Sequence, residues 1–150
     1  MSVDGAVPRW AAPVTLALSV AGLAVSSYLT YVHYTEPAAL SCPDTGVVNC
    51  TKVTTSAQSM IGPVPVAVLG IVFFAGVVVL CLPWMWRMQS QLIRWSRLAA
   101  VSAGMVSVLY LVGVEVLSLH AICLWCSAVH VLAFAMFLAV LAASTEEAVR

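Results

Sequence analysis

Cysteine is the residue type in this chain with the most chemistry to offer, and four of its five copies fall into two pairs. Cys123-Leu124-Trp125-Cys126 is a CxxC that opens a long apolar run. On a helix, cysteines three apart share a face. A helix N-terminus carries about half a positive charge, which favours thiolate over thiol. Thiolate is the species that attacks disulfides. Cys42 and Cys50, with seven residues between them, lie in a segment whose Pro43-Asp44-Thr45-Gly46 reads as a turn. They can close a disulfide and can also swing. Four cysteines allow three pairings. A relay needs two of these in turn: the pairs closed separately, and a link between pairs while electrons pass. Cys50 lies nearer Cys123, and Cys42 lies further out, towards a soluble partner. Two other readings stand beside the relay. One is a pair of structural disulfides bracing a surface; the other is a metal site built from thiolates with His33 or His120. The seven-residue gap departs from the short C-x-x-C spacing that structural zinc sites use, which favours redox work.

These thiols need elements to hold them, and the composition says where those elements lie. Only 8% of the 150 residues are charged and 63% are apolar, with a mean hydropathy of +1.06. Soluble domains carry about 25% charged residues, so an ordinary water-soluble surface is excluded. Net charge is zero, which gives no reason to expect nucleic acid. Four apolar stretches approach or exceed the ~20 residues a spanning helix needs: Pro13 to Tyr34, Val64 to Leu82, Leu98 to Leu119 and Ile122 to Ala143. The first is too long for a signal-peptide core and ends in Tyr28, Tyr31, His33 and Tyr34, an interface belt. The expected fold is therefore an all-α membrane protein. It is a four-transmembrane-helix bundle in one domain, 1–150, with short polar tails at 1–9 and 144–150.

Orientation follows from Lys and Arg. Arg9, Arg87, Arg94, Arg97 and Arg150 fall on one side of such a bundle and Lys52 alone on the other. Basic residues collect in the cytoplasm, so both termini are expected inside. The loop from Thr35 to Gly62 then faces outward together with the CxxC, on the side where disulfides persist. Cys81, near the inner end of the second span, reads as a small hydrophobe.

Within the outer loop, Val53, Ala57, Met60 and Ile61 recur at helical spacing, so a short amphipathic helix is expected over 53–61, with Ser56 on or beside its buried face. Pro63 and Pro65 open the second span. On the fourth helix, His130 follows Cys126 by four residues, and Phe134 and Phe137 continue the stripe. His130 either lines an acceptor pocket or packs the core; for the two phenylalanines core packing is the expectation. Glu115, about a turn from the outer end of the third span, either snorkels to the interface or accepts a proton. Trp84, Trp86 and Trp95 are expected as inner-interface anchors and Trp125 as an outer one. Small residues such as Gly22, Ser26, Gly104 and Gly113 suit close helix packing.

The combination resembles the vitamin K epoxide reductase (VKOR) family. The shared elements are Cys42 and Cys50 in the first outer loop, Ser56 six residues later, Gly62-Pro63-Val64-Pro65 at the head of span two, and Cys123-Leu124-Trp125-Cys126 on the fourth helix. The resemblance covers essentially the whole chain, as a bacterial stand-alone homologue. It implies that Cys126 faces a membrane quinone (menaquinone or ubiquinone) and that Cys123 is attacked from the loop. It also implies that Cys50 exchanges with Cys123, that Cys42 receives electrons from outside, and that Ser56 holds the loop helix over the pocket. With His130 and Phe134 taken from the cysteine face of the fourth helix, the acceptor site expected is Cys126, His130, Ser56 and Phe134, with no metal. His130 stands where some relatives carry Tyr. Relatives that reduce the epoxide carry an Asn near the start of span two; Pro65-Val66-Ala67-Val68 has no amide, so that activity is not expected. Because the chain stops at Arg150, without the thioredoxin-like domain many relatives carry, a separate DsbA-like or thioredoxin-like extracytoplasmic partner is expected. The implied function is a quinone-dependent thiol oxidase of the plasma (inner) membrane, supporting disulfide formation in secreted proteins. The unrelated Dsb-type four-helix quinone oxidases place their CxxC in the first outer loop, unlike this chain.

Overall fold

The computed structural model describes residues 7–36, 40–43, 45–88 and 90–149. Asp44 and Arg150, which entered the reading of the outer loop and of the charge balance, lie outside the described residues, as does the start of the N-terminal tail.

The chain is mainly helical. Helix α1 covers Ala11–Thr35, α5 covers Gln91–Gly113 and runs on into a π-helical segment at Val114–Leu119, and α6 covers Leu124–Val149. These three are long and apolar enough to cross a membrane. The 25 residues of α1 reach about 37 Å at 1.5 Å each, beyond a hydrocarbon core of about 30 Å.

The expected second span is trimmed at both ends. Helix α3 covers Val66–Leu80, 15 residues, or about 22 Å. Before it, β1 (Met60–Ile61) and β2 (Val64–Pro65) pair as an antiparallel hairpin. Gly62 takes the positive-φ corner of that turn at φ +63°, which only glycine adopts without strain. Pro65 then stands extended as the N-cap of α3. At the other end, Pro83 disfavours helix at Leu82, which is extended at ψ 144°. The chain restarts as α4, Pro83–Arg87, with proline at the helix start.

The outer-loop helix also differs from expectation. It is α2, Cys50–Thr54, and it begins on the cysteine. Asn49 caps it: its Oδ1 accepts the Lys52 N–H at 2.8 Å. At its C-terminal end hydroxyls bond back to carbonyls, Thr54 to Cys50 O at 2.9 Å and Thr55 to Thr51 O at 2.7 Å. Ser56 is extended, a 3-10 turn follows at Ala57–Ser59, and the strand begins. The apolar spacing over 53–61 thus spans three different conformations.

Helix α1 packs chiefly on α3 and α6, and α5 on α6. Glycines allow two close approaches: Gly22 lies against the Phe74 ring and Gly104 against that of Phe73. One end of the bundle holds a cluster with Leu29, Val32, Cys50, Val53 and Cys123. The middle is filled by Val77, Cys81, Val101, Met136 and Val140, so Cys81 is a core hydrophobe. The other end closes on Ala11, Trp86 and Ala143. There the buried Arg97 guanidinium stands 3.5 Å over the Trp86 ring and donates to the Leu80 carbonyl at 3.2 Å. A cation is favoured at that helix C-terminus. Trp84 and Trp95 are exposed as interface anchors would be, but Trp86 is buried beneath the arginine. Leu92, Leu117 and Val131, among others, show their side chains outward, as a lipid-facing surface does.

Candidate functional site

Cys42 and Cys50 are joined as a disulfide, while Cys123 and Cys126 are free thiols. The loop is fastened to the strand of chain that enters α6. Ile122 N–H donates to Val47 O at 2.8 Å and Asn49 N–H donates to Ile122 O at 3.1 Å, a parallel bridge between Val48 and Ile122. Cys50 follows that bridge by two residues and Cys123 by one. Both are enclosed, at 1% and 0% exposure, in one apolar cluster. Trp125 ties the other cysteine's side of the loop: its Nε1–H donates to Ser41 O at 3.1 Å, and its ring lies 4.8 Å from that of Tyr28. The tryptophan inside the CxxC therefore joins α1, the loop and α6, beyond the anchoring expected of it.

Cys123 sits one residue ahead of α6, at the cap position. The Cys126 N–H donates to Cys123 Sγ at 3.2 Å. The Cys126 thiol first, then the amides of Cys126 and Trp125, hold the Cys123 thiol below its usual range despite burial. The amides at the head of α6 thus add to a stabilisation that comes first from the Cys126 thiol.

Beneath the loop lies a cavity of about 560 Å³ whose wall includes Cys126, His130, Ser56, Glu115, Phe73 and Phe74. Its size and mainly apolar lining suit a small organic ring, for which sites of roughly 300–1,000 Å³ are usual. Ser56 donates to Val53 O at 2.8 Å and is itself an acceptor for Ser59, through its carbonyl at 2.7 Å. It thereby holds the turn that roofs the cavity. Glu115 does not snorkel outward. It is 6% exposed, and its Oε2 accepts the Cys123 N–H at 3.5 Å. A second, outer hollow beside the disulfide is lined by Cys42, Asn49, Cys50 and Lys52.

Phe134 is not part of this wall: it is 45% exposed, on the outward face of α6. The reason is rotation. Eight residues past Cys126, the helix at about 100° per residue has drifted some 80° off the cysteine face, and Ala133 lines the cavity instead. Phe137 packs the core cluster, as expected. Ser26 was read from sequence only as a small packing residue. It stands in the cavity wall with its Oγ buried and unbonded, against Gly70. No one-dimensional signal marks it. Among the described residues, no three His, Cys, Asp or Glu side chains gather as a metal site.

Residues 13–141 match the sequence profile described as the Vitamin K epoxide reductase family. No curated protein matches the chain.

Proposed function

Because the chain belongs to the vitamin K epoxide reductase family, whose chemistry is membrane-embedded disulfide and quinone redox, we propose that it is a quinone-dependent thiol oxidase. The observation that carries this reading is the placement of Cys50 and Cys123 in one buried cluster, fastened by the Val48–Ile122 bridge, with Cys126 in the wall of the adjoining cavity.

The dithiol of a DsbA-like or thioredoxin-like extracytoplasmic protein reduces the Cys42–Cys50 disulfide. Cys42, half-buried beside the outer hollow, takes the attack. Cys50, released as a thiolate, exchanges with the Cys123–Cys126 disulfide at Cys123. Cys126 is freed facing the cavity; the partner's second thiol then displaces Cys42, and Cys42 attacks Cys50, which re-forms the Cys42–Cys50 disulfide and releases Cys123 as a thiol. Closing Cys123–Cys126 again returns two electrons, which a bound quinone, menaquinone or ubiquinone, accepts with two protons. The cavity fits such a ring by volume and lining. Ser56 holds the roof and His130 donates a ring N–H to a carbonyl. Epoxide reduction is not the activity proposed: the start of α3, Pro65, Val66 and Ala67, carries no Asn.

In this reading α1, α3, α5 and α6 all span, in a single transmembrane unit of the plasma (inner) membrane. The hairpin at one end of α3 and the α4 turn at the other extend its reach to both interfaces. Arg87 and Arg94 with the buried Arg97 mark the cytoplasmic end, together with both termini. The two cysteine pairs lie at the opposite, extracytoplasmic end, as the positive-inside rule directs. The test uses purified protein in lipid, a reduced thioredoxin-like partner and a quinone. Quinone-dependent thiol loss is expected, abolished by Cys126→Ala; turnover that ignores either the quinone or that substitution rejects the reading.

A further inference from the structure

Glu115 is at odds with its neighbours. Val116 and Leu117 beside it are exposed, yet its own side chain is enclosed. The π-helical turn over Val114–Leu119 widens the helix where the carboxyl turns inward, and such widened turns recur at functional positions. Among the described residues, the Cys123 N–H is the one hydrogen-bond partner of its carboxyl, and no Lys or Arg pairs with it. A buried carboxyl without a counter-cation lowers stability. An ionisable group at this depth therefore points to chemistry.

That chemistry is a matter of protons. Oxidising the Cys123–Cys126 dithiol breaks two S–H bonds, forms one S–S bond and releases two electrons and two protons. Cys123 is fully enclosed, so no water stands beside it to take a proton. The proton-exchanging groups on the cavity wall are His33 from α1, Tyr110 from α5, Glu115 from the π segment, and Cys126 and His130 from α6. The roof segments α2 and Ala57–Ser59 add only Ser, Thr and Gln, and α3 adds none. Besides Cys126 itself, Glu115 is the proton-exchanging group of this wall with a hydrogen bond to the cysteine segment, through the Cys123 N–H.

We propose that Glu115 is the proton acceptor for the Cys123–Cys126 dithiol and delivers the protons into the cavity, an inference that rests on the quinone reading above. As the S–S bond closes, the carboxylate takes each thiol proton in turn. It passes the proton to the oxygen of the two-electron acceptor and returns to its starting state.

The test is the full chain in lipid nanodiscs with reduced partner and a short-chain benzoquinone. Glu115→Gln keeps an oxygen to accept the Cys123 N–H but cannot carry a proton. The expected result is a melting temperature no lower than that of the wild type and an unchanged KM for the partner, with kcat lower by about 100-fold or more and one limb of the pH profile lost. Wild-type kcat and pH profile in Glu115→Gln overturn the inference while leaving the thiol-oxidase reading intact. Should Glu115→Gln fail to fold, infrared difference spectra of the wild-type chain with isotope-labelled glutamate decide. A carboxyl band that changes when diamide oxidises the Cys123–Cys126 pair supports the proposal, and an unchanged band overturns it. A wild-type chain with no quinone-dependent thiol loss removes the parent reading instead.

Discussion

Replacing Gly22 with alanine puts a methyl group where the Phe74 ring now lies. A Cβ built on Gly22 falls well inside contact with three ring atoms, Cδ1, Cε1 and Cζ. Carbon atoms rest about 3.5–4.0 Å apart, so the ring must withdraw by about 1.5 Å. It has little room, being enclosed and edge-on to Phe73 at 5.0 Å between ring centres. The open direction is the cavity both rings line. Overpacking of this kind costs about 1–3 kcal/mol, and a ring pushed into the cavity competes with whatever the cavity holds. Gly76 is the control: a Cβ there meets nothing within 4 Å. Gly76→Ala is therefore expected to be neutral or more stable by up to about 1 kcal/mol. Thermal unfolding in nanodiscs, with and without quinone, and quinone KM in the thiol-oxidation assay read both effects. Gly22→Ala should unfold at lower temperature and show a raised quinone KM with partner KM unchanged. If Gly22→Ala instead matches Gly76→Ala in both measurements, Phe74 does not rest on Gly22 and the packing argument is wrong.

Three further outcomes are expected. Cys50→Ala should trap a thioredoxin-like partner as a mixed disulfide at Cys42, detected by mass spectrometry; trapping at Cys123 would reverse the order of the relay. Trp125→Phe removes the Nε1–H bond to Ser41 O but keeps a ring against Tyr28. At about 1 kcal/mol for the bond, hydrogen exchange around Leu40–Cys42 should quicken about fivefold, and unchanged exchange would show that the tryptophan does not tie the loop. Ultraviolet thiolate absorbance of the reduced chain should show Cys123 ionising below the ordinary thiol range. In Cys126→Ala, which removes the largest cause of the lowering, that ionisation should move to higher pH; an unmoved curve would mean the Cys126 thiol does not stabilise the thiolate.

What could be read from the sequence, and what could not, divides along physical lines. Unbroken apolar length is a one-dimensional property, so α1, α5 and α6 were visible, and the cysteine pairs stood out because cysteine is sparse and the CxxC opens a helix. Helix α3 was overestimated because Pro65 and Pro83 stop it without making the stretch less apolar. The spacing of Val53, Ala57, Met60 and Ile61 suggests one helix, but the backbone is extended at Ser56 and again at Met60, which apolar spacing does not reveal. Phe134 was misplaced because a four-residue step repeated twice rotates off the face it began on. The burial of Trp86 under Arg97, the unbonded Ser26 and the Val48–Ile122 bridge depend on residues distant in the chain. Periodicity holds no trace of them.

The main-chain bridge between the loop and the start of α6 has a kinetic consequence. Two sulfur centres held on one short scaffold meet at an effective concentration on the order of millimolar or higher, fixed by covalent geometry and independent of how much protein the membrane contains. In the proposed relay, exchange between Cys50 and Cys123 would then need no diffusional search. The steps of that relay that depend on concentration would be the two encounters at its ends, one with a soluble dithiol and one with a lipid-dissolved carrier.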